Sequence, residues 1–468
     1  MNQTVGRDGA SFFSNRITAV CVALLLGVHA GLLAYSATRH SPTLEEPANL
    51  VAGLCHWKFG RFDVYRVNPP LVHYVAAIPV LIVGYNEDWS GLIDLPDARS
   101  EFQVGDDFIK ANGVRSIWLF TIARWACILF SLIGGLFCFF WSRELWGRNP
   151  SGLISLFLWC FEPNILAHGE LITPDSAATS LGLGACYLFW RWLRQPTWGR
   201  AVFAGLVLGL AELTKTTWVI LFGVWPLVWL ATEWRGCRRN VSATNSQRAV
   251  RPFSQLVFIM LLGLYVLNFG YGFDGSFTKL QDFTFVSKSL TGLKKSGDPG
   301  NRFADSWIGE IRAPVPKQFL RGIDLQKREF ESSDRPSYLR GEWKQGGWWY
   351  YYIYGLAVKT PHGSQLVLLL AIFTVVYQAL ASGRSLASSE FKAEWKANDL
   401  VVLLTPAIAV LALVGSQMEF NRHVRYALPV LGFAYVFAGA TGTWFSRHAA
   451  GPPGRRLRRG VTPPSASL

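Results

Sequence analysis

Ile17-Thr-Ala-Val-Cys-Val-Ala-Leu-Leu-Leu-Gly-Val-His-Ala-Gly-Leu-Leu-Ala-Tyr-Ser-Ala37 runs directly into Thr38-Arg-His-Ser-Pro-Thr-Leu-Glu-Glu-Pro47. The first stretch is 21 residues of almost unbroken apolar sequence. That is the length a helix needs to cross a hydrocarbon layer of about 30 Å. The second stretch turns polar and sets two adjacent carboxylates, Glu45 and Glu46, just beyond the apolar run. Two acids side by side raise each other's pKa, so such a pair at a membrane surface asks for a reason.

Outward from this start the pattern repeats. Apolar runs lie at 17–37, 116–141, 150–167, 176–193, 200–213, 216–232, 253–272, 363–381, 399–415 and 426–445. About ten transmembrane helices are expected, and the fold class is an all-α polytopic membrane protein. Strands of a membrane barrel would alternate apolar and polar residues instead. The first run follows Arg7 and Arg16 and is too long for the apolar core of a secretory signal, so it reads as a retained anchor.

Of the 468 residues, half are hydrophobic and 16% are charged, as a multi-span protein requires. The net charge of +14 gathers in short loops and in the tail Arg455-Arg-Leu-Arg-Arg459. With the N-terminus inside, the inner loops hold Arg143 and Arg148; Arg191, Arg194 and Arg200; Arg235, Arg238, Arg239, Arg248 and Arg251; and Arg384, Lys392 and Lys396. Basic residues on one side are the positive-inside pattern, so the charge speaks for a membrane partner and not for nucleic acid. Both termini are expected in the cytoplasm. The seven cysteines show neither a disulfide framework nor metal-ligand spacing.

This divides the chain into a cytoplasmic N-terminus at 1–16, a membrane unit at 17–272 with a first external loop at 38–115, an external segment at 273–350, C-terminal membrane helices at 351–446 and a basic cytoplasmic tail at 447–468. The first loop predicts a short helix near 45–58 and an apolar helix at 70–84, the latter entered through Pro69-Pro70. The external segment carries Gly341-Glu-Trp-Lys-Gln-Gly-Gly-Trp-Trp-Tyr-Tyr-Tyr352, equally fit for an interfacial belt or a sugar platform.

On their own, Glu45 and Glu46 suit a helix start, where acids complement the dipole, as well as a general base at the membrane mouth. Asp175, after Thr173-Pro174, reads as a helix cap or as a site residue. Lys215 can snorkel to the interface or pair with a lipid phosphate, and Glu212 close by is expected to need it as a partner. Arg422 and Arg425 lie on the outer side against the charge trend, and a guanidinium fork suits phosphate.

Four motifs in order resemble the GT-C superfamily of membrane glycosyltransferases, in particular the protein O-mannosyltransferases and the aminoarabinose transferases of lipid A. They are Glu45-Glu46 followed by Gly60-Arg-Phe-Asp-Val-Tyr-Arg-Val-Asn-Pro-Pro-Leu71; Glu162-Pro-Asn-Ile-Leu-Ala-His-Gly-Glu-Leu-Ile-Thr-Pro-Asp175; Gly205-Leu-Val-Leu-Gly-Leu-Ala-Glu-Leu-Thr-Lys215; and Glu419-Phe-Asn-Arg-His-Val-Arg-Tyr-Ala-Leu-Pro429. Glu45 stands where the family usually has Asp, and Asn68 where it commonly has His. The resemblance implies a GT-C-like bundle with external juxtamembrane helices. It also implies transfer of a hexosyl or pentosyl group from a polyprenyl-phosphate carrier to a hydroxyl of a lipid, glycan or protein acceptor, with inversion, on the external membrane face. That location implies a bacterial inner membrane or the lumenal face of an endoplasmic reticulum, and the length of the chain leans toward the bacterial one.

On that resemblance Glu45, Glu46 and Asp175 are the catalytic candidates. Arg66, Asn68, Lys215, Arg422, Arg425 and Tyr426 are the substrate-binding candidates. A divalent cation between Glu45, Glu46 and Asp175 is compatible with the pattern, although a monophosphate donor does not demand one. The competing class is a transporter or a flippase of lipid-linked saccharides, which would show midplane charges and repeated halves. A non-catalytic assembly protein that keeps the fold is the third reading.

Overall fold

The computed structural model describes residues 5–93, 95, 98–237, 246–293, 297–331, 336–382, 389–417, 421 and 423–446. The first apolar run is a single long helix, α1 (Val5–Ala37). The loop after it holds α2 (Glu46–Phe59), α3 (Leu71–Val83) and α4 (Ser100–Asn112). Pro47 sits in the first turn of α2, and Gly60 ends it at φ +62°, a left-handed conformation that costs glycine little. The helices expected at 45–58 and 70–84 are therefore α2 and α3. The largely polar α4 has no apolar run and escaped the sequence reading.

The bundle continues through α5 (Arg115–Trp146), α6 (Asn149–Phe161), the short α7 (Pro163–Gly169), α8 (Pro174–Arg194), α9 (Trp198–Glu212), α10 (Ile220–Cys237) and α11 (Ser246–Gly270). After α11 come the one-turn α12 (Lys288–Thr291), α13 (Lys317–Glu331) and a hairpin of β1 (Ser337–Leu339) and β2 (Glu342–Lys344), paired antiparallel with Tyr338 opposite Trp343. Then follow α14 (Tyr351–Lys359), α15 (His362–Ser382), α16 (Ser389–Ser416) and α17 (Leu428–Ala438). All ten apolar runs are helical. Among the described residues, seven of these stretches are long and apolar enough to cross a membrane by themselves, with α3 and α6 as shorter apolar helices. The remaining runs, in α6, α8 and α9, are short or carry charge at their ends.

α5, α6, α8 and α17 form the centre, and α9 lies between α8 and α11. Small residues set these approaches. A Cβ on Gly209 would come within 2.4 Å of the Val266 Cβ, and one on Gly182 within 1.8 Å of the Trp218 ring. Close backbone approach of this kind is how helices associate where lipid removes the hydrophobic drive. The outer faces of α1, α10, α11 and α15 leave Leu24, Leu227, Leu261 and Leu369 exposed, as lipid contact requires.

One end of the bundle carries the loop after α1, and the segment after α11 packs onto it. Arg66 Nε donates to Gln318 Oε1 of α13 at 3.0 Å, and Tyr74 Oη donates to the Gly270 carbonyl at 3.2 Å. Val67, Val286 and Leu325 share a buried cluster between the two segments.

Candidate active site

Four chain segments converge at that end of the bundle. Glu45 occupies the position just before α2, at φ −88° and ψ −20°, and its side chain makes no capping bond. The carboxylate turns instead to Arg425. Nη1 donates to Oε2 at 2.8 Å and Nη2 donates to Oε1, a two-pronged pair. Arg425 lies in a 3-10 turn, Val424–Ala427, that leads into α17, and it stacks on the ring of the adjacent Tyr426.

Asp175 enters from the first turn of α8. Thr173 is the residue at the cap position, so Asp175 is not the cap. Its Oδ1 accepts from Lys215 Nζ at 2.7 Å, and its Oδ2 lies 3.7 Å from Arg425 Nη1. Lys215 is placed by the break after α9. The chain becomes extended at Lys215 and restarts as a 3-10 turn at Thr216–Val219, which brings the ammonium 4.8 Å from the Tyr426 ring. Asp175 and Lys215 are buried, whereas 28% of the Glu45 side chain is exposed. The result is a chain of alternating charge, Glu45, Arg425, Asp175 and Lys215, roofed by Tyr426.

Glu46 points the other way. Arg124 of α5 grips it through Nε to Oε1 and Nη2 to Oε2, both at 2.7 Å. The Ile172 N–H donates to Oε1 and the Thr43 N–H to Oε2. Arg124 in turn donates to the carbonyls of Ala37, His40 and Ser41. Both side chains are fully buried. This network pins the loop after α1 to α5 and the turn before α8. Arg124, an arginine inside an apolar run, was the overlooked signal, since such a charge almost always marks a partner.

Other candidates fall elsewhere. The expected Glu212–Lys215 pair does not form: Lys215 has gone to Asp175, and both oxygens of the fully buried Glu212 lack a partner. Arg66 is tied to Gln318 and the Leu95 carbonyl at the interface of the two segments, apart from the charge chain. Asn68 is half-buried in the turn before α3, where its N–H donates to the Tyr65 carbonyl at 3.1 Å. Arg422 lies outside the described residues. The three acids do not gather around one point either. Glu45, Glu46 and Asp175 face three different cations, and no group of three His, Cys, Asp or Glu side chains able to hold a metal occurs among the described residues. That donor set does not fit a divalent ion, because each carboxylate is already neutralised.

Tyr65 is a neighbour that sequence reading did not single out. It is a non-glycine residue at φ +57°, stacked on His73 at 5.7 Å. Burial, then the negative charge of Glu45, pushes its phenol pKa well above the usual value. Left-handed backbone at a bulky residue stores strain, and such strain gathers at functional sites.

Two cavities flank the charge chain. The larger, about 470 Å³, is mostly apolar and lies between α10, α13 and α16; Lys215, Lys327 and Tyr426 line it. The smaller, about 120 Å³, is polar and lies on the Arg425 side.

Residues 119–258 match the family model of the dolichyl-phosphate-mannose-protein mannosyltransferases. That span contains Arg124, Asp175 and Lys215. Among solved structures the chain is similar to ArnT from Cupriavidus metallidurans bound to undecaprenyl phosphate, at 13% identity and a TM-score of 0.47 over 90% of this chain. The chain spans 59% of the length of that protein. It is also similar to the apo state of ArnT from the same organism, at 13% identity and a TM-score of 0.35, covering 90% of this chain and 76% of that one. No curated protein sequence matches.

Proposed function

We propose that this chain, whose residues 119–258 match the family model of the dolichyl-phosphate-mannose-protein mannosyltransferases, moves one sugar from a polyprenyl-phosphate carrier to an acceptor hydroxyl at the external membrane face. The observation that carries the reading is the junction of the large apolar cavity with the charge chain at Lys215. The cavity can take isoprenoid units, and its polar wall presents Lys215, with Lys327 also lining it, for a phosphate.

In this reaction the acceptor oxygen attacks the anomeric carbon and the bond from that carbon to the phosphate oxygen breaks. The bonding pair leaves with the phosphate, and the acceptor proton passes to Glu45. Direct attack inverts the anomeric centre. Lys215 stabilises the charge that develops on the leaving phosphate, which is where a preorganised cation contributes most. Asp175 positions Lys215 and Arg425. Arg425 holds Glu45 oriented until the acceptor arrives. Glu46 has no free oxygen for a proton and acts through the loop it anchors.

The test is transfer by the purified chain with a labelled polyprenyl-phosphate sugar and membrane acceptors. Lys215→Ala is expected to lower kcat at least a hundredfold, the loss seen when one such electrostatic donor is removed. Wild-type turnover in Lys215→Ala contradicts the assignment.

A further inference from the structure

We propose that the small polar cavity beside Arg425 binds one anionic group, a phosphate or carboxylate carried by the acceptor. Only the word acceptor rests on the transferase reading; the anion site stands on the cavity itself. Asn164 and His168 of α7, Lys359 at the end of α14, and His423 and Arg425 before α17 line it, over a floor of leucines. Its volume of about 120 Å³ is a little below the ~150 Å³ that accommodates a benzene ring, so one phosphate or carboxylate fits.

Three features give it a sign. His168 Nδ1 and Arg425 Nε are both buried without a hydrogen-bond partner. Leaving such buried groups unmet is costly, and an anion's oxygens would satisfy them. Among the described residues no carboxylate lines the cavity, and Glu162, Asp175 and Glu45 close by are engaged. Glu162 accepts from Asn164 and Tyr435, Asp175 from Lys215, and Glu45 from Arg425. Lys359 makes no ion pair among the described residues and adds an uncompensated positive charge.

His168 reports the same field. Its pKa is lowered by burial and by the cations Arg425, Lys215 and Lys359, against the opposing pull of Asp175. The cations that add to the burial effect at this imidazole also favour an incoming anion.

The position gives the site a purpose. Lys215 and Tyr426 line the large cavity, Arg425 lines the small one, and Asp175 lies between Lys215 and Arg425, with Glu45 paired to Arg425. An acceptor held by an anionic group beside His168 and Lys359 brings its hydroxyl to Glu45 from the side opposite the carrier. The enzyme would then select acidic acceptors over neutral ones.

The experiment is isothermal titration calorimetry of the full chain in neutral detergent, with inorganic phosphate and, separately, acetate as probes at constant ionic strength. Saturable binding of one or both is expected. Lys359→Gln and His168→Phe should each weaken it at least tenfold, and Lys110→Ala, on the exposed face of α4 and lining neither cavity, should leave it unchanged. Lys359 is exposed, so its substitution keeps the test open if His168→Phe does not fold. The proposal is overturned if neither anion binds, if binding ignores Lys359→Gln, or if Lys110→Ala abolishes it. Anion binding without sugar transfer would sink only the transferase reading; transfer without anion binding would sink only this one.

Discussion

Glu45 and Glu46 share a peptide bond and live in opposite surroundings. Glu46 is sealed against Arg124, and removing one partner of a buried pair costs about 3–5 kcal/mol. Glu46→Gln should therefore lower thermal stability and folded yield by that order, measured by detergent-solubilised unfolding. Glu45 is partly exposed and held by a guanidinium that an acceptor can rearrange. Glu45→Gln should leave unfolding unchanged and reduce transfer about 10²–10⁴-fold, the range for loss of a general base. If the two phenotypes are exchanged, the assignment of base and anchor is reversed. The sequence showed that a pair of acids stood at the membrane edge, and charge counting put Asp175, Lys215 and Arg425 on the same side. It could not say which acid faces which cation, because that depends on helix rotation. Glu212 illustrates the point: three residues before Lys215, it looked like its partner, yet the chain breaks between them and sends Lys215 to Asp175.

At the scale of elements, the contact between α9 and α11 holds Lys215 at its height. Gly209→Leu would drive a side chain into Val266 and the Gly263 carbonyl. Overpacking of this kind costs about 1–3 kcal/mol, and because α9 ends just before Lys215 the transfer rate should fall with it. Gly199→Ala, in the same helix with nothing within 4 Å of the added Cβ, is the matched control and should be neutral or slightly stabilising. Equal unfolding temperatures for the two variants would contradict close packing at Gly209. The long apolar helices were readable because length and hydropathy suffice for them. The amphipathic α13 and the hairpin at 337–344 were not, since their order comes from partners distant in sequence. Asp324 of α13 accepts from the Val286 and Ser287 N–H groups, and Arg66 reaches Gln318.

For the whole molecule, a single site requires the loop after α1 and the segment after α11 to share one side of the membrane, with the basic loops on the other. Cysteines placed at the exposed Asp88 and Trp307 should react with a membrane-impermeant maleimide from the outside, and one at Gln195 only after permeabilisation. Opposite labelling of Asp88 and Trp307 would separate halves of the site that the structure joins. Cleavage of a sugar from a polyprenyl phosphate by these two halves, with Glu45 as base, is best checked by mass analysis of membrane glycolipids and glycoproteins. Cells carrying the wild-type chain are compared with cells carrying Glu45→Gln at equal expression. The variant is expected to accumulate a polyprenyl-phosphate-linked sugar and to lose one glycosylated acceptor of matching sugar mass. Identical lipid and acceptor profiles in the two membranes would contradict it.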